Sequence, residues 1–361
     1  MIWPFGKKRY LALTGDNRSA MLTEIQRGPV GEALPRLLAS TDDPLTSDVA
    51  LPRLLAAAGN IPGLVALSLP LSFFETVSVS LPLMPDAAVA KALPYHLAKA
   101  VNAPLESFVY DWQINGRQKD RLQIVVYLFP SAIFQRLRRE FLRKEAQLAF
   151  FEPDVFSVFA FLAQTKRLVV EEATLCALLW QDSVSLAVHE KNRLPLARVV
   201  REQQPLTPFQ LPIEDTISPA ADAIPEEELL ILEEEPAAPV EPVHDTDALL
   251  ADFAILSANA SLESVPASQA APTPQTPSSW TDYLHQVILE IMRTRDYYAS
   301  VQKGAAIRHI VVGGADPFWN QLAVQGKDLL ATDFIPLQAP SGAATRQPLL
   351  DVLAIGAGAR W

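Results

Sequence analysis

Between Glu202 and Ser278 the chain carries fifteen Asp and Glu, twelve prolines and not one Lys or Arg. So little contiguous apolar area cannot offset the ordering entropy of such a stretch, and 203–278 reads as a disordered acidic linker. Any core must therefore be assembled from the segments on either side of it. The charge divides in the same way: taking fifteen carboxylates from a net charge of −11 leaves +4 for everything else. The remainder is a mildly basic body carrying an acidic tether. It has no basic stripe with interleaved aromatics, and the tether would repel phosphates, which argues against nucleic-acid binding. Two apolar islands, 229–232 and 248–256, interrupt the tether and suit short helices that fold on a partner.

Immediately after the tether, Ser279 stands three residues ahead of Asp282, a capping pattern that starts a helix. Leu284, Val287, Ile288, Ile291, Met292 and Tyr298 follow at three- and four-residue intervals, forming one apolar stripe. The run 307–312 reads as a buried strand and leads into Gly313-Gly314. Asp316-Pro317 then opens another helix, which Gly326 is expected to end. In open α/β sheets, a glycine turn at the carboxyl end of a strand is a place where ligands sit. The tail from Pro348 reads as one more helix.

The first half opens with strands at 10–13 and 20–26 around the turn Gly15-Asp16-Asn17. Residues 35–60 read as helical pieces broken by prolines. Gly63–Leu69 and the alternating stretch 74–81 are strands, and Pro85-Asp86 starts a helix with Val89, Leu93, Leu97 and Val101 on one side. Asn115-Gly116 marks a hairpin between 108–114 and 121–129. Ser131 begins a helix rich in arginine, and 174–188 turns over at 190–193 into a further strand.

Several kinds of chemistry find no support. The histidines (His96, His189, His244, His285 and His309) are scattered, so no metal site is expected. P-loop, nucleophile-elbow and dinucleotide-binding patterns are absent from the sequence. The single Cys176 excludes an internal disulfide and fits a reducing compartment. No uncharged apolar run reaches the ~18 residues of a membrane span, and residues 1–13 do not read as a signal peptide, so a cytoplasmic location is expected.

Five segments carry a resemblance: Val65-Ala66-Leu67-Ser68-Leu69-Pro70, Leu81-Pro82-Leu83-Met84, Phe108-Val109-Tyr110-Asp111-Trp112-Gln113, Arg295-Asp296-Tyr297-Tyr298 and Ile310-Val311-Val312-Gly313-Gly314. Glu152-Pro153-Asp154 also looks like a return into a main sheet. Together they resemble the PilM-like proteins of pilus and type II secretion assembly, which have the actin-like ATPase fold. The resemblance implies an α/β chain of two lobes with ribonuclease-H-like sheets and a small inserted α+β subdomain. Residues 1–170 would form the first lobe, with 61–129 as the insert. Residues 171–202 and 279–361 would form a second lobe lacking its own insert, and 203–278 the linker.

In that fold two hairpin turns and a glycine pair surround the nucleotide phosphates. The residues left for this role are Gly15, Asp16, Asp182, Gly313 and Gly314. Ala12 stands at the place of the metal-facing Asp and Thr14 at that of a glycine, while Trp180 and Gln181 stand where small residues let phosphate approach. The nucleotide site is therefore expected to be vestigial, with no ATP hydrolysis and no cofactor, ATP with Mg²⁺ being the one the fold would otherwise take. The resemblance implies instead a scaffold at the cytoplasmic face of the inner membrane. It would bind the cytoplasmic tail of a PilN-like membrane protein, with other platform proteins as further partners. The groove for that tail is expected along Phe73, Phe74, Val77 and Val79, with Lys91 and Tyr95 on the neighbouring helix. Two other readings stand beside this one: a working actin-like ATPase or sugar kinase, and an adaptor that acts through the acidic tether.

Overall fold

Strand β1 (Tyr10–Gly15) is buried on both faces, with Leu11 and Leu13 turned one way and Ala12 the other. A strand of this kind belongs in the middle of a sheet covered on both sides. The computed structural model describes residues 9–27, 33–59, 62–167, 172–180, 182–191, 193–201, 280–314, 316–338 and 348–359. All of them belong to one unit, Met1–Leu206 with Pro274–Trp361. The acidic tether, its two islands and the Ser279 cap lie outside the described residues.

Around β1, the antiparallel β2 (Ala20–Arg27) and β3 (Ala33–Thr41) lie on one side, and the parallel β4 (Gly63–Leu69) and β8 (Ala146–Pro153) on the other. The sheet order is β3-β2-β1-β4-β8. A second sheet repeats the plan: β11 (Arg193–Arg201), β10 (Ser183–Glu190), β9 (Ala173–Leu179), β12 (Ile307–Gly313) and β13 (Asp333–Pro336). The helices repeat too. Helix α1 (Ala50–Ala58) joins β3 to β4 as α5 (Trp280–Ser300) precedes β12. Helix α3 (Ser131–Arg143) precedes β8 as α6 (Asp316–Leu330) precedes β13, and α4 (Asp154–Gln164) follows β8 as α7 (Pro348–Gly358) follows β13. Each half is thus three antiparallel strands, a helix, a strand, a helix, a strand and a closing helix.

The insertion that breaks the repeat lies between β4 and α3. It is a three-stranded sheet, β5 (Glu75–Pro82), β7 (Arg121–Pro130) and β6 (Phe108–Gln118) in that spatial order, with α2 (Asp86–Ala100) on one face. The sheet pairing divides the stretch 61–129 differently from expectation, because β4 is a central strand of the first lobe and the small sheet begins only at Glu75. Val79, Leu81, Val89, Leu93, Leu97, Leu122, Ile124 and Val126 make its separate core.

Helices α4 and α7 pack on each other and take up the face that the two large sheets share. One hydrophobic cluster draws Ala12 and Met21 from the first sheet, Cys176 and Val311 from the second, and Val158, Phe161, Val352 and Leu353 from the helices. The outer faces are covered separately, the first sheet by α1 and α3, the second by α5 and α6.

Three local expectations are corrected. Residues 33–41 form an edge strand, not a helix. Leu34, Leu37 and Leu38 have helix-like spacing, but pairing with β2 overrides it, and Pro35 is tolerated because the far edge needs no donor. Asn115-Gly116 is not the hairpin turn: the register shifts between Ile114 and Gly116, a β-bulge, and the chain turns at Lys119-Asp120 with Lys119 at φ 51°. Gly326 does not end α6. It lies inside the helix, where a Cβ would come within 2.3 Å of the Phe334 ring on β13, so its smallness serves packing.

The tightest approach between α4 and α7 is at Gly356, where a Cβ would lie 1.8 Å from the Ser157 carbonyl oxygen. In a free helix Gly→Ala gains about 1 kcal/mol. Here the obstacle is backbone, so the helices must separate, and overpacking of this kind costs about 1–3 kcal/mol or more. Gly356→Ala is expected to lower unfolding free energy by about 2 kcal/mol in urea denaturation, and a gain in stability would refute the close crossing.

Candidate functional site

The β1–β2 and β9–β10 turns come together at one end of the molecule. In the first, Asp16 Oδ1 accepts hydrogen bonds from the backbone N–H groups of Arg18 (2.8 Å) and Ser19 (2.7 Å) and from the Ser19 hydroxyl (3.1 Å). This Asx-type turn uses the carboxylate locally. A Cβ on Gly15 would lie 2.9 Å from the Ser19 carbonyl oxygen, so the glycine permits the tight turn. Asn17 donates from its side-chain amide to Asp182 in the second turn, and Asp182 also accepts from the Ser183 hydroxyl at 3.1 Å. The two turns are thus tied directly to each other.

Beneath them lies a carboxylate that the sequence reading passed over. Asp154, the first residue of α4, is fully buried and accepts four hydrogen bonds. Oδ1 takes the N–H of Leu71 (3.1 Å) and of Val155 (2.8 Å), and Oδ2 takes the Trp180 indole N–H (2.8 Å) and the Ser185 hydroxyl (2.8 Å). Leu71 follows β4 in the first lobe, whereas Trp180 and Ser185 belong to the second. Burial pushes its pKa from the ordinary 3.8 up to about 7, against the opposing pull of Ser185, Trp180, Val155 and Leu71. Beside it, Ser157 Oγ lies 2.8 Å from Ser68 Oγ and 2.6 Å from Glu152 Oε1, a second buried polar link, within the first lobe.

The residues present do not fit a nucleotide polyphosphate. Ala12 and Thr14 are fully buried, and Trp180, 6% exposed, fills the second turn's inner side. The space beside Gly313 is taken by Leu349, Leu178 and Leu337, within 2.9–3.3 Å of where a Cβ would stand, and Gly314 abuts Leu179 at 3.1 Å. Asp16 and Asp182 are both engaged by neighbouring side chains. Among the described residues, no group of three or more His, Cys, Asp or Glu is arranged to hold a metal ion.

The residues expected to form a partner groove are divided by the fold. Phe74 is 4% exposed, stacks on Phe151 (5.0 Å between centroids) and meets Phe129 at a tilt (5.5 Å), inside the first lobe's core, with Phe73 half-buried at its edge. Val77 and Val79 face α2 in the core of the small subdomain. Lys91 and Tyr95 lie on the outer side of α2, Tyr95 64% exposed with the Lys99 ammonium 4.1 Å from its ring centre. These six residues do not line a common groove, because strand alternation sends Val77 and Val79 under the helix whose far side carries Lys91 and Tyr95.

Truncating Asp154 orphans buried donors in both lobes. Asp154→Ala is expected to cost roughly 3–5 kcal/mol, against about 1 kcal/mol for Asp16→Ala in its half-buried turn. Acid–base linkage gives a second check. With a folded pKa of about 7 against 3.8 unfolded, the folded chain keeps a proton that the unfolded chain releases, so this group stabilises the fold at low pH and loses that effect as pH rises to about 7. The unfolding free energy of the wild type minus that of Asp154→Asn should fall by up to ~1.4 kcal/mol per pH unit between about pH 5 and 7, then level off. Urea titrations at four pH values read it.

No family model matches the chain, and no curated protein matches it either. Solved structures do. A PilM–PilN type IV pilus biogenesis complex shares 13% identity over 99% of each chain, with a TM-score of 0.59. A Bacteroides thetaiotaomicron protein of actin-like ATPase fold and unknown function shares 10% identity over 93% of this chain and 94% of that one, with a TM-score of 0.43. The cytoplasmic domain of EpsL, an inner-membrane component of the Vibrio cholerae type II secretion system, shares 16% identity over 69% and 96% respectively, with a TM-score of 0.37. The duplicated sheets, the crossing helices between them and the end-to-end likeness to the PilM–PilN structure agree: this chain has the actin-like ATPase fold.

Proposed function

We propose that the chain is a non-catalytic scaffold of a type IV pilus or type II secretion assembly platform, and that it binds the cytoplasmic tail of a PilN-like inner-membrane protein. The observation that carries this reading is the structural likeness, over nearly the whole of both chains, to a protein solved in complex with PilN. No described helix is long and apolar enough to cross a membrane. The reading as a working ATPase is disfavoured by side chains: Trp180, the Asn17–Asp182 link and the leucines around Gly313 occupy the ground a polyphosphate would need.

The small subdomain offers the tail an exposed α2 surface, with Lys91 and Tyr95 available and Phe74 and Val79 spent on the cores. A fluorescent peptide copying the tail of the PilN-like protein is expected to bind the full chain at tens of micromolar or tighter. Tyr95→Ala with Lys91→Glu should weaken it about tenfold, or ~1.4 kcal/mol. Absence of binding would sink the partner assignment. Millimolar Mg-ATP is expected to leave the melting temperature within about 1 °C, since a ligand that does not bind the native state cannot stabilise it. An upward shift of several degrees would restore the ATPase reading.

A further inference from the structure

The face of the small sheet turned away from α2 borders a cleft of about 780 Å³ whose other wall belongs to the second lobe. Thr76 and Ser78 of β5 line it on the sheet side, and the opposite wall is made by the start of β11 and the end of α5. This is neither the phosphate-turn region nor the outer face of α2.

Its charge is one-sided. Arg117, Lys191, Arg193 and Lys303 line it, with Glu190 as the single acid. Glu190 is already spent: one oxygen takes the Tyr298 hydroxyl and, at 3.5 Å, the Ala305 N–H, and the other pairs with Lys191 at 3.3 Å. Arg117, Arg193 and Lys303 have no carboxylate partner among the described residues. Lys303 is held at the rim by the cap that closes α5. It takes a φ of 52°, and the following Gly304 donates its N–H to the Tyr298 carbonyl, where any Cβ would meet the Tyr298 ring.

The second observation comes from the bulge in β6. The Asn115 side-chain nitrogen donates to the Pro195 carbonyl at 3.1 Å. Because a carbonyl only accepts, the amide orientation is fixed, and Asn115 Oδ1 is left buried beside the cleft with no donor. A buried acceptor without a donor costs about 1–3 kcal/mol. Phosphate or a free carboxylate brings no N–H to it, whereas an extended peptide brings one at every residue. Cations lining the cleft and a buried acceptor beside it together select a ligand with both acidic side chains and a backbone.

We propose that this cleft binds an extended acidic peptide segment of a partner protein, with carboxylates on Arg117, Arg193 and Lys303 and a backbone N–H on Asn115 Oδ1. This site is independent of the proposed PilN-like tail interaction and needs no nucleotide. The probe is a fluorescein-labelled octapeptide rich in Glu and Asp, with its Gln/Asn counterpart as control, titrated against the full chain by anisotropy at low salt. Binding of the acidic form, at least tenfold weaker for the control and for Arg117→Glu/Arg193→Glu/Lys303→Glu, is expected, as is a several-fold loss in Asn115→Leu. Carbodiimide coupling followed by mass spectrometry should join the peptide to Lys303 or Lys191. The triple variant should keep the wild-type melting temperature and its affinity for the PilN-like tail, which separates failure of this proposal from failure of the scaffold reading. No acidic-peptide binding, equal binding by the triple variant, complete displacement by equimolar tripolyphosphate, or Lys303 coupled only to the chain's own carboxylates would each overturn it.

Discussion

One buried carboxylate joins the halves of this molecule. Asp154 starts the helix that crosses between the sheets, and its four donors come from its own helix, from Leu71 just after β4, and from the β9–β10 turn and strand β10 of the other lobe. Isolated in an apolar interior, such a group is expensive. Once both oxygens are satisfied, its removal is more expensive still, because the donors cannot return to water. That asymmetry favours the one relative arrangement of the lobes in which all four of these donors reach the carboxylate. Apolar packing of α4 against α7 supplies bulk attraction but little direction, and the four hydrogen bonds supply the direction.

The same residues fill the space between the two hairpin turns with side chains. In a clamp, the contents of the cleft are part of what holds the jaws. Here Trp180 fills the second turn, Asn17 reaches across to Asp182, and leucines surround Gly313, so side chains take the place that such contents would have. The glycines that look like a ligand's approach path are explained by packing: Gly15 by its own hairpin, Gly313 by three leucines, Gly356 by a helix crossing.

Individual strands and helices were legible because each carries its own period, whereas their grouping into two lobes came from the resemblance. Leu11 and Leu13 against Ala12, or Val77, Val79 and Leu81 against Thr76 and Ser78, alternate as strands must, and Val89, Leu93 and Leu97 recur as a helix face. The failures are places where a partner outweighs local pattern. Leu34, Leu37 and Leu38 satisfy a helical spacing, yet the free edge of β2 captures them. Asn115-Gly116 has turn chemistry but sits two residues before the turn, and its amide is drawn to Pro195 of another sheet. Asp154 was the hardest to see. Nothing in Glu152-Pro153-Asp154 distinguishes it from an ordinary acid in a first helical turn, and its partners at 71, 180 and 185 are distant in sequence. A hint was available in Trp180, since a tryptophan at a tight turn usually needs somewhere to put its N–H.

The second sheet is split in sequence: β9, β10 and β11 precede residue 202, and β12, which pairs with β9 in its centre, begins only at Ile307. A ribosome working at ~5–20 residues per second needs roughly 4–16 s to make residues 202–279 alone. For that interval the nascent chain holds an apolar strand edge and half a core with nothing to cover them. The open edge is that of β9, and the cation-free, carboxylate-rich stretch made during that interval repels other copies of itself, which opposes self-association of the unfinished sheet.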